Sequence, residues 1–271
     1  MYNLIAFDMD GTLLNSKKKI SEDSITAIKK AVSFSKNVVL STGRSVAELK
    51  EYQSELKEIR FGILESGALI YDFKLQEVLS HKTLPTESVI KIKDVVVQGN
   101  LMVIAMISGQ IYLQKSHLVH IKKYNMEVYK GLYERSAILV DDISALFEKE
   151  KENFEKINIY HFNLGEREEN FRKLLHENIT IIKAENTGLE ITAKNVEKGL
   201  GLEYICNYLN LPISESIAVG DADNDESIIR KAGLGIAMGN ANKNIERLAD
   251  VSVSDNDNGG CAQAIYMYLL S

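Results

Sequence analysis

The chain reads as an α/β protein, a doubly wound parallel sheet carrying a second, smaller α+β domain as an insert. Short apolar runs without alternation recur at Leu4–Phe7, Val38–Leu40, Phe61–Leu64 and Ser216–Val219. Strands that bury both faces have this habit, and parallel sheets are built from them. Helix-period segments separate these runs, as crossover connections require. The 271 residues suit about two domains, and the pattern changes near residue 81.

Taken in order, Leu4–Phe7 is a buried strand that stops at Asp8-Met9-Asp10-Gly11-Thr12. A helix follows over 22–35, with Ser21 as its N-cap and Ile25, Ile28, Ala31 and Val32 on one face. Val38–Leu40 ends in Ser41-Thr42-Gly43-Arg44, a second helix is expected over 46–57, and Phe61–Leu64 leads through Glu65–Ala68 into a hairpin over 69–78. From 81 to 187 the spacing predicts helices over 86–98, 118–129, 143–154 and 167–176. It predicts strands over 101–107, 110–113, 157–162 and 179–182, with a tight turn at Ser108-Gly109. Adjacent hairpin strands point to an antiparallel sheet with helices on one face. The first pattern is expected to resume at Leu189–Thr192, followed by a helix over 198–209, Ser216–Val219, a helix over 226–231, a strand over 234–238 and a last helix over 262–270. The expected domains are therefore 1–80 with 188–271, and an insert over 81–187.

Composition removes several functions. Apolar residues make up 45% and charged residues 26%, an ordinary globular balance. The net charge of −6 offers no extended basic face for a phosphate backbone, so a nucleic-acid partner is not expected. Lys17-Lys18-Lys19 is too short to change that and reads as a solvated turn. Cys206 and Cys261 form neither a disulfide framework nor a zinc motif. No basic segment followed by a long apolar run opens the chain, so a cytoplasmic protein without a membrane partner is expected. Neither GxxxxGK[ST] nor GxSxG occurs. The glycines at 233–239 have the wrong spacing for a dinucleotide fingerprint, and the five histidines, gathered near or in the insert, read as surface or packing residues.

Ligands of an open parallel sheet bind outside the carboxyl ends of its strands. Asp8 and Asp10 follow the first strand, Thr42 and Gly43 the second, and Asp221, Asn224 and Asp225 a later one. Lys198 opens a helix and could point to the same edge. Several carboxylates at one edge cannot all remain ionised without a cation. Oxygen ligands without Cys or His imply a hard one, and Mg²⁺ is usual beside phosphate. Residues two apart in an extended segment return to one side, so of Asp8 and Asp10 one carboxylate can attack phosphorus while the other handles a proton. Each motif alone has a plainer reading: an Asp-Gly turn, a helix N-cap at Thr42, a surface lysine, an Asx-rich loop.

Together, Asp8–Thr12, Ser41–Arg44, Lys198 and Gly220–Asp225 resemble the four ordered motifs of the haloacid dehalogenase superfamily. The insert and the tail Gly235–Ala241 resemble its Cof-type phosphatases with a C2B cap. The resemblance implies a Mg²⁺-dependent phosphatase of small phosphorylated metabolites, sugar phosphates first, with pyridoxal phosphate or a flavin mononucleotide next. It implies Asp8 as nucleophile and Asp10 as general acid and base. It assigns Mg²⁺ to Asp8, the Asp10 carbonyl and Asp221, with Asp225 behind them, and phosphate to the Met9 N–H, Thr42, Gly43, Lys198 and Asn224. A phosphomutase, or a regulator that binds a phosphorylated ligand without turning it over, would share these residues. Ser66 stands where the family usually carries Asn, and Asn258-Gly259-Gly260 where it carries Asp-Gly-apolar. Oligomeric state leaves no trace in the sequence, and a monomer is compatible with it.

Overall fold

The computed structural model, which describes residues 1–175, 178–184 and 187–271, builds an eight-stranded sheet around β1 (Leu4–Phe7), whose four residues are all buried. α1 (Glu22–Ser33) begins at Ser21, whose side chain accepts the Ser24 N–H. β2 (Asn37–Ser41), β3 (Phe61–Leu64), β4 (Leu69–Asp72) and β5 (Glu77–His81) follow. The helix expected over 46–57 is only a 3-10 turn, Ala47–Tyr52. There the buried Glu48 carboxylate folds back onto the N–H and hydroxyl of Ser45, and the Ala47 N–H leaves the segment for the Gly109 carbonyl.

Two units result: Met1–Gly43 with Tyr52–Ser80 and Glu197–Ser271, and Arg44–Glu51 with His81–Val196. The second contains α2 (Thr86–Gly99), β6 (Met102–Ile107), β7 (Gln110–Gln114), α3 (Lys115–Val119), α4 (Lys130–Ser136), β8 (Ala137–Val140), α5 (Ile143–Lys149), β9 (Lys156–Tyr160), α6 (Leu164–Leu174), β10 (Ile179–Ala184) and β11 (Gly188–Ala193). Its six strands run in the order β10-β11-β9-β6-β7-β8. The pairs are antiparallel except β7 with β8.

Three expectations need correcting here. The strand at 189–192 is part of β11, which pairs with β9 and β10 and so belongs to this second sheet. The helix expected over 118–129 is α3 followed by two 3-10 turns, interrupted at Asn125, whose φ is +59°. Packing also covers both faces of the sheet. Val103, Ala105, Ile157, Ile159 and Ile191 join α2 and α5 on one side, while Met102, Ile104 and Met106 meet Leu118, Tyr124 and Tyr133 on the other. β6 is apolar at every position, the pattern of a strand buried twice. Among the histidines, His117 and His161 are buried, and His176 lies outside the described residues.

The chain returns to the first unit with α7 (Lys198–Tyr208), β12 (Ser216–Gly220), α8 (Glu226–Lys231), β13 (Leu234–Ala237), α9 (Lys243–Leu248), β14 (Val251–Ser252) and α10 (Gly260–Ala264). The first sheet is ordered β14-β13-β12-β1-β2-β3-β4-β5, with parallel pairing from β14 to β3. β1 lies between β2 and β12, so the order reverses there and opens a crevice at its carboxyl end. Leu4, Ala6, Val39, Ile63 and Ala218 of this sheet pack with Leu202 and Ile205 of α7. That packing anchors the helix that carries Lys198.

Ile191 is fully buried in the second unit's core. Ile191→Ala should cost about 2–5 kcal/mol locally. Hydrogen exchange should show faster opening of β6 and β9 while β1, β2 and β12 keep their protection. Loss of protection in β1 and β12 instead would contradict the placement of β11.

Candidate active site

Asp8 follows the last residue of β1 and extends its ladder, donating its N–H to the Val219 carbonyl at 3.0 Å. The chain then doubles back, with the N–H of Leu13 on the Asp8 carbonyl and that of Leu14 on the Met9 carbonyl. Gly11 makes the turn possible: its φ is +84°, and a Cβ there would overlap the Asp221 carboxylate. Gly220, at the end of β12, lies equally close to the Asp225 carboxylate.

Lys198 occupies the first position of α7 with its side chain 1% exposed. Its Nζ donates to Asp8 Oδ1 at 2.6 Å and to Asp225 Oδ1 at 2.7 Å. Asp225 Oδ2 accepts the N–H groups of Asp221 at 3.0 Å and Ala222 at 3.3 Å. Asp221 Oδ1 accepts the Thr12 hydroxyl at 3.0 Å. One oxygen from each of Asp8, Asp221 and Asp225 lies within 4.8 Å of the others.

Three carboxylates share one ammonium, and burial sharpens the imbalance. Burial, then the charge of Asp225, push the Asp8 pKa well above the usual carboxylate range, against the pull of Lys198. Burial and the same Asp225 charge push Asp221 up to about 6. For Lys198, burial acts to lower the pKa, but Asp225 and Asp8 outweigh it and hold the ammonium protonated. Carboxylates in this condition take up either protons or a cation. Hard oxygen donors in a surplus of negative charge suit Mg²⁺, so the residues present fit the ion.

The structure brings Asp8, Lys198, Asp221 and Asp225 into one bonded group. Asp225, read as a supporting residue, is in the carboxylate cluster, yet both its oxygens are already engaged by Lys198 and backbone N–H groups. The Asp10 carboxylate turns elsewhere, to Lys18 Nζ at 2.8 Å. Thr42 and Gly43 follow β2, whose Leu40 pairs with Phe7, so they lie at the strand end beside Asp8. Thr42 is buried, with its N–H on the Ile63 carbonyl. Asn224 lies in the 3-10 turn Asp223–Asp225. Met9 is buried and supplies the carbonyl that Leu14 uses. Sequence reasoning did not connect Thr12 with Asp221, whose carboxylate accepts its hydroxyl across 209 residues of chain. It also missed Lys18, which carried no signal beyond a run of three lysines. Arg44, in the same motif as Thr42, faces Glu51 at 3.8 Å.

The chain belongs to the haloacid dehalogenase-like hydrolase family, whose sequence profile matches residues 5–265. Phosphatase YwpJ of Bacillus subtilis is 28% identical over 277 residues, covering 96% of this chain and 97% of its own. The 5-amino-6-(5-phospho-D-ribitylamino)uracil phosphatase YcsE of the same organism is 28% identical over 268 residues, covering 98% and 96%. The solved structure of a haloacid dehalogenase-like hydrolase from B. subtilis superimposes with a TM-score of 0.86 at 28% identity, covering 98% of this chain and 99% of that one. The protein is thus a hydrolase with the α/β fold expected of it, and these two curated relatives are phosphatases. No helix among the described residues is long and apolar enough to cross a membrane.

Asp221 is protonated more readily in the folded chain, about 6, than in an unfolded one, about 3.9. Its contribution to stability is therefore complete below about pH 4 and is lost as pH rises through about 6. In metal-free protein at pH 7.5, Asp221→Asn should raise the thermal midpoint by on the order of a few degrees. Mg²⁺ should stabilise the parent more at pH 7.5 than at pH 5, and should stabilise the variant far less. A variant less stable than the parent without metal and equally stabilised by Mg²⁺ would contradict the assignment.

Proposed function

We propose that this protein is a cytoplasmic, Mg²⁺-dependent phosphatase of small phosphorylated metabolites, acting through an aspartyl-phosphate on Asp8. The observation that carries the reading is the Asp8 carboxylate, buried at a strand end and held through Oδ1 by a buried ammonium. Such a carboxylate is fixed in direction and lies beside a positive charge suited to a phosphoryl group.

Asp8 attacks phosphorus in line with the leaving oxygen. Lys198, Thr42, the N–H groups of Met9 and Gly43, and Asn224 hold the phosphoryl oxygens. Asp225 keeps Lys198 oriented between its two partners. Asp8, the Asp10 carbonyl and Asp221 would hold Mg²⁺, which would supply charge to neutralise the phosphoryl oxygens. Asp10 donates a proton to the departing alkoxide and then takes one from water in the second step. Its pairing with Lys18 is solvent-exposed on both sides, and an exposed pair is worth about 0–1 kcal/mol, so breaking that pair costs little.

Sugar and sugar-alcohol phosphates are the first substrate class to test. The named substrate of YcsE, a phosphorylated ribityl chain on a pyrimidine, supports that choice. The second unit, in the reading of it as a C2B cap, selects the leaving group.

Asp10→Asn keeps the backbone carbonyl and loses the proton. An alkyl phosphate should then turn over about 10²–10⁴-fold more slowly. Formation of the phospho-enzyme from an aryl phosphate, whose leaving group needs less protonation, should suffer less in a rapid-quench experiment. Near-parental rates on both substrates would remove Asp10 from the acid-base role.

A further inference from the structure

The tail motif after β13 has no part in the chemistry above, yet it grips both catalytic turns. The N–H groups of Met238 and Asn242 donate to the carbonyls of Gly220 and Asp221, at 3.0 and 2.9 Å. Between them, Asn240 uses its side chain at both ends. Its Nδ2 donates to the Gly11 carbonyl at 2.8 Å, and its Oδ1 accepts the Asn256 N–H at 3.1 Å. Asn256 in turn donates through Nδ2 to the Leu14 carbonyl at 2.8 Å. A carboxamide can donate and accept in this way at the same time.

The Gly11 carbonyl is a critical point to hold. Gly11 joins Asp10 to Thr12 in a turn with positive φ, pressed against the Asp221 carboxylate. Gly11 shares one peptide with the Asp10 carbonyl and the next with Thr12, so a displacement of this turn as a whole would carry the Asp10 carbonyl with it and move the Thr12 hydroxyl that Asp221 accepts.

We infer that Asn240 is a positioning residue, whose carboxamide sets the direction of the Asp10 carbonyl and the Asp221 carboxylate toward the cation. The inference rests on the proposed reading of those two groups as Mg²⁺ ligands. It adds to that reading a residue that touches neither the ion nor the substrate.

The test is calorimetric titration of the full chain with Mg²⁺, beside steady-state kinetics on an aryl phosphate. Asn240→Ala removes both bonds. Asn240→Asp keeps an acceptor for Asn256 and replaces the donor to Gly11 by a carboxylate oxygen that repels the carbonyl, in case the first variant folds poorly. Each should bind Mg²⁺ about 10-fold or more weakly, the usual effect of losing a partner behind a metal ligand. At saturating Mg²⁺, kcat should fall more than KM changes. Asn244→Ala, which removes bonds to Asp223 and Glu226 only, serves as the control and should bind Mg²⁺ as the parent does. A folded Asn240→Asp with parental Mg²⁺ affinity would overturn the inference, as would an equal loss in Asn244→Ala. Absence of Mg²⁺ binding by the parent would instead overturn the reading of the cation site, and the inference with it.

Discussion

A lysine ammonium removed from water needs carboxylates to remain charged, and Lys198 has two. Its Nζ joins Asp8, from the first strand, to Asp225, from the turn after β12, across separations of 190 and 27 residues. Breaking a buried pair by removing one partner typically costs about 3–5 kcal/mol, because the remaining charge stays buried alone. The interaction therefore constrains the start of α7, the end of β1 and the loop after β12 together. Packing of Leu202 and Ile205 against the sheet supplies the apolar half of the same constraint.

The group is nonetheless unbalanced. Asp221 adds a third carboxylate for which Lys198 has no further charge to offer, and burial together with the Asp225 charge pushes its pKa up to about 6. A site that is unfavourable when empty of cations is well suited to gaining one. Stability given up by crowding the carboxylates would be recovered on binding of a divalent ion, which would couple folding and ligand binding through the same oxygens. The glycines at 11 and 220 allow this crowding, since a side chain at either position would collide with a carboxylate.

Much of this was legible in the sequence. Unalternating apolar runs gave the strands, and the rule for strand ends gathered Asp8, Thr42, Asp221 and Asp225 at one edge. Lys198 could be included because it opens a helix in the right order. Other features depend on long-range contacts that leave no periodic mark. The residues of β11 look like any buried strand, and only pairing with β9 and β10 assigns them to the second sheet. The segment at 46–57 has adequate helical composition, but the Glu48 and Ala47 bonds lead it away from a regular helix. Asn240 on Gly11 joins residues 229 apart, and Lys18 folds back eight residues onto Asp10 without a periodic signal.

The most direct test of the account is whether Asp8 becomes covalently phosphorylated during turnover. The full chain, mixed with an aryl phosphate and Mg²⁺, would be quenched in acid within the first turnovers, digested and mapped by mass spectrometry. The account predicts phosphate on the peptide carrying Asp8, assigned to that carboxylate and absent from Asp8→Asn. Phosphate on a serine or histidine, or product formation in the first turnover with no phosphorylated peptide, would contradict it.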